Sequence, residues 1–296
     1  MEEIQIRSEL EMLDLILKTA KDDERVRLVI MNGSRTSPNA PKDRFQDYDI
    51  VYIVKRLESF VSDHSWINIF GDPIMIQMPE THELIAPIND GRFNYQILFD
   101  DENRLDLTLI PIESLKDILQ PDTQTKLLLD KDNIMLEIPP CNDSDYYITI
   151  PTQKLFNDCC NNFWWVLQNV AKGICRDELP YAMKMIEYDR TMLDCMASWF
   201  IGTTHGYQIT TGKCGKYFKK YLDPDIYQMY CDTHSNSNYN NLWASVFTMC
   251  KLFRKLAFDV ANYSGFSYKH EDDKNMTEYL GRVHALNTGN GLITKN

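Results

Sequence analysis

The sequence predicts an α+β chain, with a mixed-sheet domain over residues 1–145 followed by a mostly α-helical domain over residues 146–296. Three observations carry this. Short runs rich in branched and aromatic residues, bounded by turn residues, crowd the first half. From Thr152 onward the apolar residues recur at helical spacing instead. Between the two lies Pro139 to Asp145, a polar stretch holding two prolines, which has the composition of a domain boundary.

Taken in order, Ser8 and Glu11 have the spacing of a capping box, and Leu10, Leu13, Leu17 and Ala20 follow at helical intervals, so a helix is expected from Ser8 to Lys21. After the polar break Lys21 to Glu24, Val26 to Met31 has strand composition and ends at the turn Asn32-Gly33. Tyr48 to Val54 is apolar on both faces except at its start, the pattern of a central, covered strand. Ile74 to Gln77, Tyr95 to Phe99 and Leu105 to Ile110 are further strands, the last two joined by an Asp100 to Asn103 hairpin turn. In the second half Phe156, Cys159, Cys160, Phe163 and Leu167 fit one helical face. Met183, Ile186, Met192, Met196 and Phe200 fit another. Val246, Met249, Phe253, Leu256 and Val260 point inward from a helix over Leu242 to Tyr263. The Gly/Asn-rich tail after Ala285 is expected to fray.

Composition narrows the function classes. The formal net charge is -12, which repels a polyphosphate backbone, so no nucleic-acid partner is expected. The amino terminus is acidic rather than basic-then-apolar, and no run of roughly eighteen apolar residues occurs, which predicts a cytoplasmic protein without a membrane partner. The eight cysteines lack a Cys-x-x-Cys pair and are expected as reduced thiols. The histidines lack metal-protease spacing, and neither a Gly-x-Ser-x-Gly elbow nor a Walker loop is present.

The constellation that remains is acidic. Asp47 and Asp49 open a strand two residues apart, so their carboxylates share a face and repel unless a proton or a cation intervenes. Carboxylate oxygens are the ligands a hard divalent ion such as Mg²⁺ prefers. Asp106 lies in an otherwise apolar strand, on the face opposite Leu105, Leu107 and Leu109, where an acid is costly unless something charged receives it. Gly33, Ser34 and Arg35 directly follow a strand, where glycine lets the backbone approach a ligand while N–H groups and a hydroxyl hold phosphate oxygens.

A strand ending in Gly-Ser, an Asp-x-Asp on the next strand and a third Asp on a later one resembles the nucleotidyltransferase superfamily with its polymerase-beta-like fold. The stretches MNGSRTSPNAPKDRFQDYDIVYIV, FDDENRLDLTLIP and CCNNFWWVLQNVAKGICRDEL together resemble the aminoglycoside 6-adenylyltransferases, the enzymes that inactivate streptomycin. The likeness runs from the amino-terminal helix to Tyr263. It implies transfer of AMP from ATP to an acceptor hydroxyl, with one or two Mg²⁺ ions, and ATP and a cationic aminoglycoside such as streptomycin as partners.

On that resemblance Asp47 and Asp49 bind the metal at the triphosphate, and Asp106 is either a ligand of a second ion or a general base. Ser34 hydrogen-bonds the triphosphate, with Gly33 and Arg35 beside it. Lys172 and Arg176, four apart on one helical face, add nucleotide-binding charge, Lys172 being the one the resemblance favours. A cationic acceptor calls for carboxylates and flat apolar faces, for which Asp158, Trp164, Trp165, Glu187 and Asp194 are the candidates. Adjacent Trp164 and Trp165 cannot both face the core, and the sequence leaves open which is free. A sugar-nucleotide glycosyltransferase would also use Asp-x-Asp, but it accounts for neither Gly33-Ser34 nor Asp106. A binding protein on a degenerate version of the fold is disfavoured by the presence of all three acids.

Overall fold

A computed structural model describes residues 5–84, 90–135 and 138–288. The chain forms two compact units, Met1–Asp145 and Tyr146–Asn296.

In chain order the first unit contains α1 (Glu9–Asp22), β1 (Val26–Asn32), β2 (Tyr48–Val54), the one-turn α2 (Glu58–Val61), β3 (Pro73–Gln77), β4 (Phe93–Phe99), β5 (Arg104–Pro111), the short α3 (Leu115–Ile118) and β6 (Lys126–Asp130). The α1 amino terminus is held by the capping box: Glu11 N donates to Ser8 Oγ at 3.3 Å and Ser8 N donates to Glu11 Oε2 at 2.7 Å. Its buried stripe is Met12, Ile16 and Ala20, while Leu10, expected on the inner face, is 74% exposed. Leu13 and Leu17 pack at the edge of the core. The apolar positions of α1 therefore cover more than one face, and the sheet selects among them.

The six strands form one mixed sheet in the order β3-β4-β5-β2-β1-β6. β2 is central, pairing antiparallel with β1 and parallel with β5. Every residue of β2 except Asp49 is buried, because α1 covers one face of the sheet and a smaller cluster including Ile30, Val51, Ile53 and Ile110 covers the other. The central polar position of a covered strand is thus singled out by packing alone. β4 and β5 form the hairpin expected across Asp100 to Asn103. The edge strand β6 had no sequence expectation; its side chains are mostly half-buried, which blurs the alternation a strand usually shows.

The second unit is helical: α4 (Gln153–Cys175), α5 (Leu179–His205), α6 (Phe218–Tyr221), α7 (Pro224–Asp232), α8 (Tyr239–Ser264) and α9 (His270–Thr288). The expected inner faces of α4 and α8 are buried, and Phe163 stacks on Phe253 with ring centroids 3.8 Å apart. On α5, Ile186, Met196 and Phe200 are buried, and Met183 and Met192 pack beside them. Among its described residues α9 carries one fully buried apolar side chain, Leu280, so its helical period is faint in sequence. It continues to Thr288, past the point where fraying was expected; residues 289–296 lie outside the described residues. Among the described residues no helix is long and apolar enough to cross a membrane.

Candidate active site

Asp47 stands one residue before β2, and Asp49 is the second residue within it. Strand alternation sends both side chains to one face. The parallel register places Asp49 beside Asp106 and Tyr48 beside Leu105, so Asp106 joins the same face from β5. Strand pairing therefore adds Asp106, which sequence could only place on a separate strand, to the pair Asp47 and Asp49.

Their mutual influence shows in their acidities. Burial, then the negative charges of Asp106 and Asp47, push the Asp49 carboxyl up to about 6, against the opposing pull of Arg104 and Arg35. Burial also raises Asp47, a shift restrained by Arg104. Arg104 was not anticipated. Its Nε and Nη2 donate to Asp106 Oδ1 and Oδ2 at 2.8 and 2.7 Å, a bidentate fork, and its Nη1 lies 3.5 Å from Asp47 Oδ2. Being two residues before Asp106 on a strand, it had to share that face, and this spacing was the available signal.

Gly33 begins a one-turn 3₁₀ segment, Gly33–Arg35, at φ +75. A Cβ at this position would meet Asp49 Oδ2 at 2.1 Å and Cγ at 3.0 Å. The glycine thus serves two needs, a left-handed turn and room for the central carboxylate. Ser34 accepts hydrogen bonds from Gln46 Nε2 at its carbonyl (3.2 Å) and hydroxyl (3.3 Å). Arg35, expected beside the nucleotide, is turned inward, with 5% of its side chain exposed. Its Nε donates to Asp47 O (3.1 Å) and its Nη2 to Gln46 O (2.7 Å), its guanidinium lies 3.6 Å above the Tyr48 ring, and Glu9 is 3.4 Å away. Arg35 holds Asp47 in place and leaves no donor fork open to a phosphate, because the backbone oxygens leading into β2 already use it.

A hard divalent ion is the group that this set of carboxylates implies. Among the described residues no three His, Cys, Asp or Glu side chains close around a single point, and Arg104 lies against Asp47 and Asp106. The chemistry nevertheless fits. Three carboxylates share one face of two in-register strands, and the Oδ1 of Asn32, the cross-strand partner of Asp49, is buried without a hydrogen-bond partner. Oxygen ligands in this number suit Mg²⁺.

In the helical unit, Asp158, Trp165 and Lys172 stand seven residues apart along one stripe of α4. Asp158 pairs with Lys154 at 2.5 Å, both exposed. Trp165 is 65% exposed, whereas Trp164, also expected among the acceptor residues, is buried. Trp164 Nε1 donates to Tyr268 Oη at 3.1 Å, and the indole sits edge-on to Phe163 and Phe253. It is a core residue, which removes it from the acceptor candidates and leaves Trp165. Lys172 is half-buried in the last turn of α4, while Arg176 caps that helix, its N–H donating to Lys172 O. Glu187 and Asp194 are seven apart on α5; Glu187 is exposed, and Asp194 accepts from Tyr230 Oη at 2.8 Å with its carboxyl raised by burial.

Comparison with known proteins adds independent findings. The family model described as Streptomycin adenylyltransferase matches residues 6–283. The chain is 44% identical over 284 residues to an aminoglycoside 6-adenylyltransferase of Bacillus subtilis (strain 168), covering 95% of this chain and 99% of that protein. It is 39% identical to one from Campylobacter jejuni, covering 91% and 93%. A crystal structure of an aminoglycoside 6-adenyltransferase from Bacillus subtilis aligns with a TM-score of 0.47 at 38% identity, covering 94% of this chain and 99% of that one.

Proposed function

The chain belongs to the streptomycin adenylyltransferase family and is a nucleotidyltransferase, and from that premise we propose that it transfers AMP from ATP to a hydroxyl of streptomycin, conferring resistance. The observation that carries this reading is the in-register set Asp47, Asp49 and Asp106 beside the Gly33 turn.

The acceptor oxygen forms a bond to the α-phosphorus, the bond from that phosphorus to the bridging oxygen breaks, and pyrophosphate leaves. Catalysis of such a displacement is mainly positioning and charge neutralisation. Asp47, Asp49 and Asp106 would hold Mg²⁺, which when bound supplies charge neutralisation at the phosphates. The hydroxyl proton must pass to a carboxylate. Asp106 is the candidate for that role once Arg104, which engages both of its oxygens, has moved. Ser34 offers its hydroxyl to the triphosphate, and Lys172 is the basic side chain of the helical unit that the resemblance favours for the nucleotide. The exposed carboxylates Asp158 and Glu187, the half-buried Asp194 and the exposed face of Trp165 suit a guanidinium-bearing acceptor.

The test is incubation with ATP, Mg²⁺ and a panel of aminoglycosides, read by mass spectrometry for addition of AMP and by pyrophosphate release. Streptomycin should gain one AMP. Modification of another aminoglycoside instead would replace the acceptor, and no transfer to any of them under conditions where ATP binds would overturn the reading.

A further inference from the structure

Arg104 is a cation built into an acidic site by strand register. On β5 it is two residues before Asp106, and β5 runs parallel to β2 with Leu105 beside Tyr48 and Asp106 beside Asp49. Arg104 and Asp106 therefore form one side of a four-cornered arrangement, with Asp47 and Asp49 the other. Its guanidinium engages both oxygens of Asp106 and approaches Asp47. One positive charge among three negative ones leaves two, the charge of a single divalent cation. The fork geometry also matters, since a bidentate guanidinium–carboxylate pair is much stronger than a point-charge contact.

We propose that Arg104 is the resident counter-cation of this site: it neutralises Asp106 and Asp47 in the nucleotide-free protein and must be displaced before those carboxylates can accept a divalent ion. The inference rests on the metal-binding reading of the three acids given above. It makes ion binding to the free protein weak, because the ion must break the fork. It makes binding stronger when a triphosphate is present, because the released guanidinium then gains a phosphate partner of the kind arginine recognises. Metal and nucleotide are in this way coupled through one side chain, and the acids are kept from repelling one another while the site waits.

The test is Mn²⁺ binding to the full chain, measured from the free-ion electron paramagnetic resonance signal with and without ATP, on wild type, Arg104→Gln, Arg104→Lys and Asp49→Asn. Arg104→Gln should tighten Mn²⁺ binding to the free protein by roughly ten- to a hundredfold, the equivalent of one charge-assisted contact no longer broken. Arg104→Lys, which keeps the charge but loses the fork, should fall between. With ATP present the advantage of Arg104→Gln should vanish or reverse. Unchanged or weaker Mn²⁺ binding by Arg104→Gln without ATP, while Asp49→Asn loses it, overturns the counter-cation role and leaves the metal site standing. An advantage that persists undiminished with ATP overturns the coupling. If Asp49→Asn binds Mn²⁺ as wild type does, the three acids are not the metal site, and the proposed function loses its metal centre along with this inference.

Discussion

Replacing Gly33 by alanine places a methyl group 2.1 Å from Asp49 Oδ2 and 3.0 Å from its Cγ. Two costs separate cleanly. The backbone at φ +75 penalises any side chain by roughly 1–2 kcal/mol, which for a unit of this size lowers Tm by about 2–8 °C. The clash is distinct: Asp49 Oδ2 must withdraw from 2.1 Å to at least 3.4 Å to reach ordinary contact, and a misplacement of about 1 Å at a reacting centre already costs about a hundredfold in rate. Gly265 provides the control, because it has φ +69 but nothing within 4 Å of a built Cβ. Gly265→Ala should lose stability of similar size and keep kcat/KM, whereas Gly33→Ala should lose both. Pyrophosphate release at saturating ATP, with thermal melts alongside, is the assay. If Gly33→Ala keeps kcat/KM within about threefold of wild type, or if Gly265→Ala loses activity equally, the idea that Gly33 makes room for Asp49 is wrong.

Asp49→Asn should fold, lose metal-dependent turnover and melt no lower than wild type. Because the folded carboxyl is raised to about 6 from 3.8, the folded state binds the extra proton across that window, so its stability falls as pH rises from about 4 to 6. The amide should flatten that fall, a gain on the order of 1 kcal/mol at pH 7.5 after allowing for partial exposure; a sharp drop in Tm would instead mark Asp49 as structural. Asp189 on α5 is fully buried, both oxygens lack hydrogen-bond partners, and burial raises its carboxyl to about 9. Its stabilising contribution is whole below about pH 4 and is lost as pH rises toward 9, so Asp189→Asn should raise the melting temperature at pH 8 and not at pH 4.5; parallel pH profiles for the two proteins would refute this. Trp164→Ala should cost about 3–5 kcal/mol as a core truncation. Trp165→Ala should stay within about 0.5 kcal/mol of wild type and raise the acceptor KM without moving that of ATP, and unchanged acceptor KM would remove Trp165 from the acceptor site.

What the sequence determined by itself was local. The capping box, the Tyr48–Val54 strand, the hairpin at Asp100 to Asn103 and the common face of Asp47 and Asp49 all follow from spacing within a few residues, where backbone period alone decides direction. β6 and α9 escaped because an edge strand and a helix with one fully buried apolar residue carry little period. Tertiary structure decided everything that depends on which elements meet. Parallel pairing of β2 with β5 brought Asp106 beside Asp49, and the same register set Arg104 among the acids. The approach of Gly33 to Asp49 needed β1 against β2. Arg35 turned inward because the carbonyls of Gln46 and Asp47 and the Tyr48 ring lay within reach of its planar fork. Trp164 rather than Trp165 entered the core because Phe253 and Tyr268, distant in the chain, form its pocket. Period fixes the face on which a side chain stands, and only long-range packing fixes what stands opposite.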